Sequence, residues 1–174
     1  MSTSELRRAK ARYLEARSKA YNHAAKLRGV VGVDFRVGEW SRSVEEAYKG
    51  QWLGVRHDDG GFDWPRIFDR HRDPSRLDIV IRVDERICGI GIGTVSGDSV
   101  FLRFLEGDPR TDCPLKGRRI LIALETAAAY AQALGRRQLR LEPVNAALES
   151  LYVDVYGFSM VRPKKGNPYC TKGV

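Results

Sequence analysis

The sequence is poor in the residues that make cross-links and membrane spans. Its 174 residues include 3 Cys, at positions 88, 113 and 170. An odd number at such wide spacing fits neither a disulfide framework nor a paired-thiolate zinc site. Buried, unreactive thiols are the expectation. No apolar run approaches the roughly 18 residues of a membrane-spanning helix, and residues 1–30 are charged, with no apolar stretch before a cleavage site. A cytoplasmic protein without membrane contact is expected. Histidine is equally scarce: His23, His57 and His71 are scattered at no ligand spacing, so no metal is implied. No Ser, His and Asp order stands out, and no internal repeat or low-complexity tract occurs.

Acidic residues are in the minority, 22 against 30 Lys and Arg, for a formal charge of +8. That balance suits an anionic partner such as a nucleotide, a nucleic acid or an acidic protein surface, and charge alone does not choose among them. With 43% hydrophobic residues the chain can bury one ordinary core.

Residues 4–28 place Leu6, Ala9, Tyr13, Ala16, Ala20, Ala24 and Leu27 at helical spacing. The other faces of this helix carry Lys and Arg against only Glu5 and Glu15, which gives the segment +6 of the total charge. A basic helix over 1–28 ahead of a domain over 29–174 is therefore expected. Its lysines and arginines read either as nucleic-acid contacts or as the solvated side of a helix docked by its apolar stripe or used in a homodimer.

A strand is expected over 30–37, a helix over 44–53 started by Ser43, a loop over 57–65 and a short helix over 64–71. From Leu77 the period changes to two. Residues 77–83, 87–95 and 100–105 read as an antiparallel meander with turns at Asp84-Glu85 and Gly97-Asp98. After a polar loop, Ile120, Leu124, Ala127, Ala131 and Leu134 mark an Ala-rich helix stopped by Gly135. A strand over 138–142 follows, then a helix capped by Asn145 and running to Gly157, then two closing strands. Together these elements predict an α/β fold, a central mixed, mostly antiparallel sheet flanked by helices.

GIGIG at 89–93 invites a dinucleotide-binding reading, but the sixth position is Thr94 and the segment lies inside a strand. Gly89, Gly91 and Gly93 instead share one strand face, bare enough for close approach by a helix, a ligand or another backbone.

The order meander, polar loop, Ala-rich helix ending in ALG, strand RQLRLEP and then NAALESLYVDVYGF resembles the core of the GCN5-related N-acetyltransferase family over residues 77–162. Its most specific part is Asn145, then Tyr152 seven residues on, then Gly157 and Phe158, with one extra residue near Tyr156. The resemblance implies an N-acyltransferase moving an acetyl or short acyl group from acetyl-CoA to an amine on a small molecule or protein. It implies that two strands part near Phe104 and Leu139 to admit the pantetheine arm, with Phe104 and Leu105 against it. The helix starting near Ile120 would meet the pyrophosphate, Asn145 would contact CoA, and Tyr152 would be the acid that receives the thiolate's charge. Glu106 or Glu142, each ending a central strand, is the candidate base, with water as the other choice. Equally, Tyr152 reads as a packing residue and Asn145 as a simple cap.

The phosphate loop departs from the family pattern of Arg or Gln, two residues, Gly, one residue, and Gly or Ala. Anchored on Gly117, those positions hold Pro114, Gly117 and Arg119. Either Lys116, Arg118 and Arg119 bind phosphates through charge-assisted bonds, or the scaffold has lost acyl-CoA and serves as a noncatalytic module for nucleic acid or protein.

Overall fold

The computed structural model describes residues 1–56 and 61–174; His57, Asp58, Asp59 and Gly60 of the expected loop lie outside them. Seven strands form a sheet in the order β1-β2-β3-β4-β5-β7-β6. They are β1 (Arg36–Gly38), β2 (Leu77–Val83), β3 (Arg86–Ser96), β4 (Ser99–Gly107), β5 (Gln138–Leu141), β6 (Ser159–Val161) and β7 (Tyr169–Gly173). All neighbours run antiparallel except β4 and β5, which pair parallel. The mixed, mostly antiparallel sheet flanked by helices is therefore observed.

Two helices cover one face, α1 (Thr3–Ala25) and α5 (Arg119–Ala133). The alanines that formed the apolar stripe of α1 are its buried residues: Ala16, Ala20 and Ala24 are closed off, and Ala16 and Ala20 share a core with Leu77, Ile79 and Ile81 of β2 and Ala123, Ala127 and Ala131 of α5. Small side chains bring the two helix axes close. Cations on α1 also hold it down: Arg12 Nη2 donates to the Leu134 carbonyl at 2.8 Å, at the C-terminal end of α5, and Arg17 Nη1 donates to the Pro74 carbonyl at 2.8 Å. A guanidinium on a helix's last carbonyls satisfies orphan acceptors and complements the dipole.

The other face carries α3 (Arg42–Trp52) and α4 (Trp64–Arg70). Tyr48, Trp52, Trp64 and Phe68 pack there on Val80, Ile87, Ile90 and Ile92. The N-cap of α3 is Ser41, whose hydroxyl accepts from the Val44 N–H, so Ser43 is not the start signal. Among the described residues no helix is long and apolar enough to cross a membrane.

The strand expected over 30–37 forms only at its last two positions. Arg28–Val31 form a helical turn, α2, closed by Gly32 at φ 75°, and only Arg36–Gly38 pair with β2. The Leu27 carbonyl accepts from both Val30 and Val31, which extends helical geometry past the break and overrides the β preference of the valines.

The bare glycine face of β3 is filled by neighbouring strands, not left open. A Cβ on Gly91 would lie 3.2 Å from Leu105 Cδ1 and 3.3 Å from the Phe104 carbonyl oxygen, while on Gly93 the nearest atom would be Leu77 Cβ at 3.4 Å. Gly91→Ala should therefore cost about 1–3 kcal/mol through overpacking against a main-chain atom, and Gly93→Ala clearly less. Urea unfolding midpoints of the two variants check this, and equal midpoints would remove the packing account.

Candidate active site

β4 is more than twice as long as β5, and only part of it is paired on that side. Ser99, Val100, Phe101 and Leu102 register with Gln138, Leu139, Arg140 and Leu141. Beyond Leu102 and Leu141 the strands separate. Two local features cause this. Against β3 the register moves from Ile92↔Phe104 to Gly93↔Leu102, so Arg103 is an extra residue that bends β4. On β5, Glu142 is followed by Pro143, which has no N–H to donate to a ladder.

The opening therefore starts above Leu141, and not at Leu139, which is still paired with Val100. The Phe104 carbonyl faces β3, where it would crowd a Cβ on Gly91. Because peptide groups alternate along a strand, the main chain of Leu105 faces the opening. The Leu105 side chain leans back over Gly91 and does not close the gap. Phe104 turns its ring to the α3–α4 face, 5.1 Å from Phe62 and 6.0 Å from His71 between centroids.

The N-terminus of α5 has no side-chain cap: its N-cap residue is Arg118, and the first bonded amide is Ile122, donating to the Arg118 carbonyl. Among the described residues, the N–H groups of Arg119, Ile120 and Leu121 have no acceptor. Such a terminus favours an anion through its donors and the helix dipole. The preceding turn is shaped by Gly117 at φ 84°. Lys116, Gly117 and Arg118 are exposed. Arg119 behaves differently, because its Nη1 donates to the Asp108 carbonyl at 3.0 Å and its guanidinium lies over Gly107. Of the three loop cations, Lys116 and Arg118 remain open to a ligand.

What holds this loop against β4 is a cluster that the sequence did not advertise. Asp108 is buried, with Oδ1 accepting from Arg110 N and Nε and Oδ2 accepting from Arg86 Nε at 2.8 Å. Burial pushes its carboxyl up, but the bonds from Arg110 and Arg86 outweigh that and leave it below the ordinary carboxylate value. Cys88 and Cys113 sit beside it, the three ligand-type atoms within 4.8 Å of one another. Burial and the neighbouring Cys113 push the Cys88 thiol up to about 12, so it stays protonated at neutral pH.

Glu106 lies on the open limb of β4 and points to the α3–α4 face. Its Oε1 accepts three bonds, from Arg56 Nη2 at 2.9 Å, the Phe62 N–H at 3.0 Å and Trp64 Nε1 at 2.8 Å. Among the described residues Oε2 accepts none. Arg56 and Trp64 are positioning residues that no motif singled out, because they come from another layer of the fold.

Asn145 caps α6 (Ala146–Ser150), its Oδ1 accepting from the Leu148 N–H at 2.9 Å, so the cap reading of this residue is realised. The chain then winds into a π-helical turn over Leu151–Val155, with the Tyr156 N–H donating to the Leu151 carbonyl at 3.3 Å. One more residue per turn accommodates the extra residue seen between Tyr152 and Gly157, and such turns are frequent at functional sites. Tyr152 is buried beside Phe158, and its hydroxyl has no hydrogen-bond partner among the described residues. Burial, with a contribution from Cys170, pushes it up to about 12. Tyr152 belongs to the core on the α5 face and Glu106 faces α3 and α4, so they approach the opening from opposite sides. Glu142 is exposed and lines a cleft of about 380 Å³ with Asn145, Glu149 and Arg162.

No family model matches the sequence, and no curated protein is similar enough to match. Solved structures do. Ard1 from Thermoplasma volcanium is similar at a TM-score of 0.58 and 17% identity, covering 82% of this chain and 99% of that one. An acetyltransferase of the GNAT family from Staphylococcus aureus Mu50 gives 0.59 at 11% identity, over 80% and 98%. The ribosomal-protein-S18-alanine N-acetyltransferase from Escherichia coli gives 0.55 at 17%, over 79% and 90%. The chain therefore has the fold of the GNAT acetyltransferases, the acyl-CoA N-acyltransferase fold.

The Asp108 cluster gives a pH test. A depressed carboxyl contributes stability that is complete above its unfolded value, about 4, and is lost as pH falls through the folded value. Asp108→Asn should cost about 3 kcal/mol at pH 7 by leaving Arg86 and Arg110 without their shared partner. It should also show a smaller further drop between pH 7 and pH 3 than the wild type. Parallel acid slopes in urea unfolding would contradict this role.

Proposed function

We propose that the protein is an N-acyltransferase that moves an acetyl or short acyl group from acetyl-CoA to a primary amine by direct attack in one ternary complex. The observation that carries the reading is the unpaired limb of β4 set opposite an uncapped helix N-terminus. An extended pantetheine arm can take the place of a missing strand partner, bonding to the Leu105 main chain. Its phosphates then reach the free amides of Arg119, Ile120 and Leu121, with Lys116 and Arg118 adding charge. These contacts do not need the second glycine of the family loop.

In the reaction the amine nitrogen attacks the thioester carbonyl and the carbon–sulfur bond breaks. Tyr152, protonated at neutral pH because burial pushes its hydroxyl up to about 12, gives its proton to the departing thiolate. The proton from the attacking nitrogen goes to Glu106 through its Oε2, directly or by way of a water. Glu142 is the second candidate for that proton, from the β5 side of the opening. The Arg56, Phe62 and Trp64 donors fix the Glu106 carboxylate in one orientation, which favours it over the exposed Glu142.

Acetyl-CoA should raise the thermal unfolding midpoint of the wild type, because a ligand selective for the folded state must do so. Absence of any shift would leave the noncatalytic reading of the scaffold standing. Tyr152→Phe should lower turnover roughly 100-fold or more with acetyl-CoA affinity nearly intact. Lys116→Ala with Arg118→Ala should weaken acetyl-CoA binding by calorimetry, while Arg119→Ala should act mainly on stability. Equal affinity in the double variant would refute the cationic loop.

A further inference from the structure

The α3–α4 layer covers only half of its side of the sheet. It ends at Phe104, and past that point the side chains alternate between a buried set and a half-exposed set. Val100, Leu102, Leu139, Leu141 and Cys170 are buried under α5 and the π-helical turn. Their neighbours point the other way. Register places Thr94, Phe101, Arg140, Thr171 and Ser159 in one row across β3, β4, β5, β7 and β6. At roughly 4.8 Å between strands, the row spans roughly 19 Å. Among the described residues no helix lies over it.

Two planar pairs dominate this face. The Arg103 guanidinium carbon lies 4.1 Å from the Phe101 ring centre, and that of Arg140 lies 4.8 Å from the Tyr169 ring centre. Among the described residues Arg140 Nε has no hydrogen-bond partner. No carboxylate belongs to the row. Beside it a cleft of about 420 Å³ is lined by His71, Arg76, Arg103 and Phe104, with Asp73 taken up by Ser75. His71 is pushed below its ordinary value by burial and then by Arg103, Arg76 and Arg70.

We propose that this open face binds single-stranded RNA, its bases stacking on the Arg103–Phe101 and Arg140–Tyr169 pairs and its phosphates meeting the two guanidinium groups. Sheet faces carrying aromatic rings and arginine planes hold unpaired bases because every base has a stacking face. The row is long enough for two or three nucleotides. Gln138 has its Oε1 taken by the Thr171 hydroxyl at 2.9 Å, which leaves its NH2 to reach a ribose 2′-OH. A second copy of this chain is a poorer occupant, because a two-fold contact centred on the row would bring the arginines of one copy, Arg103 and Arg140, close to those of the other. The surface adjoins the acyl-transfer opening at Arg103, but RNA affinity measured without acetyl-CoA stands or falls independently of the function proposed above.

The test is fluorescence anisotropy with a labelled ten-nucleotide RNA of mixed sequence, at low and moderate salt. Saturable binding is expected, and a duplex of the same sequence should bind more weakly. Phe101→Ala with Tyr169→Ala should weaken binding roughly tenfold or more. Arg103→Ala with Arg140→Ala should also weaken it and make the salt slope shallower by roughly 0.7 per arginine lost. Should a variant fail to fold, photo-cross-linking of 4-thiouridine RNA to the wild type decides. Adducts on peptides containing Phe101, Arg140 or Tyr169 support the proposal, and adducts confined to α1 overturn it. Equal or tighter binding of the duplex or of single-stranded DNA would also overturn it, as would aromatic substitutions that abolish self-association and leave RNA affinity unchanged.

Discussion

Everything near the opening depends on β4 having one partner for its whole length and the other for less than half of it. β3 follows β4 from Ser96↔Ser99 to Gly89↔Gly107, whereas β5 leaves after Leu141. Unpaired main-chain groups inside a protein are costly unless water or a ligand meets them. The bulge at Arg103 and the proline at 143 create that demand with two residues. The loop from Asp108 to Arg118 then decides what stands opposite. With its carboxylate fixed by two guanidinium groups and its end bonded through Arg119, the loop delivers the start of α5 to the mouth as a set of free donors.

Arginine does much of this work, and in several distinct ways. Arg12 and Arg17 cap main-chain carbonyls across the α1 interface. Arg86 and Arg110 neutralise the buried Asp108, and Arg56 orients the half-buried Glu106. A rigid fork with five donors can serve several acceptors at once, which a lysine ammonium cannot. The net positive charge is thus partly structural, and only the fraction left on exposed residues such as Lys116 and Arg118 bears on ligands.

The meander, the Ala-rich helix and the order of the last elements were legible because each follows a simple period: two for Leu77 to Val83, and three to four for Ile120 to Leu134. Asn145 as a cap and the surplus residue before Gly157 were legible too, although only coordinates show the surplus absorbed as a π turn. The pair of valines at 30 and 31 misled, since a continuing helix end outweighed their strand preference. The opening begins two residues further along β5 than the Leu139 that the resemblance implies. Registry along a parallel pair depends on where a bulge falls, and nothing in Phe101-Leu102-Arg103-Phe104 marks Arg103 as the extra residue. Glu106 was visible as a strand-end carboxylate, but its partners Arg56 and Trp64 come from more than forty residues away and left no local trace.

The contact between α1 and α5 also bears on how the chain is made. Arg12 bonds to Leu134, 122 positions downstream, and Ala20 is enclosed by a helix that begins at Arg119. Helix α1 precedes in the chain both surfaces that bury it, first β2 and then α5. Until α5 is made, this basic, alanine-striped helix has only β2 to pack on, and completing its cradle closes a long loop late in folding.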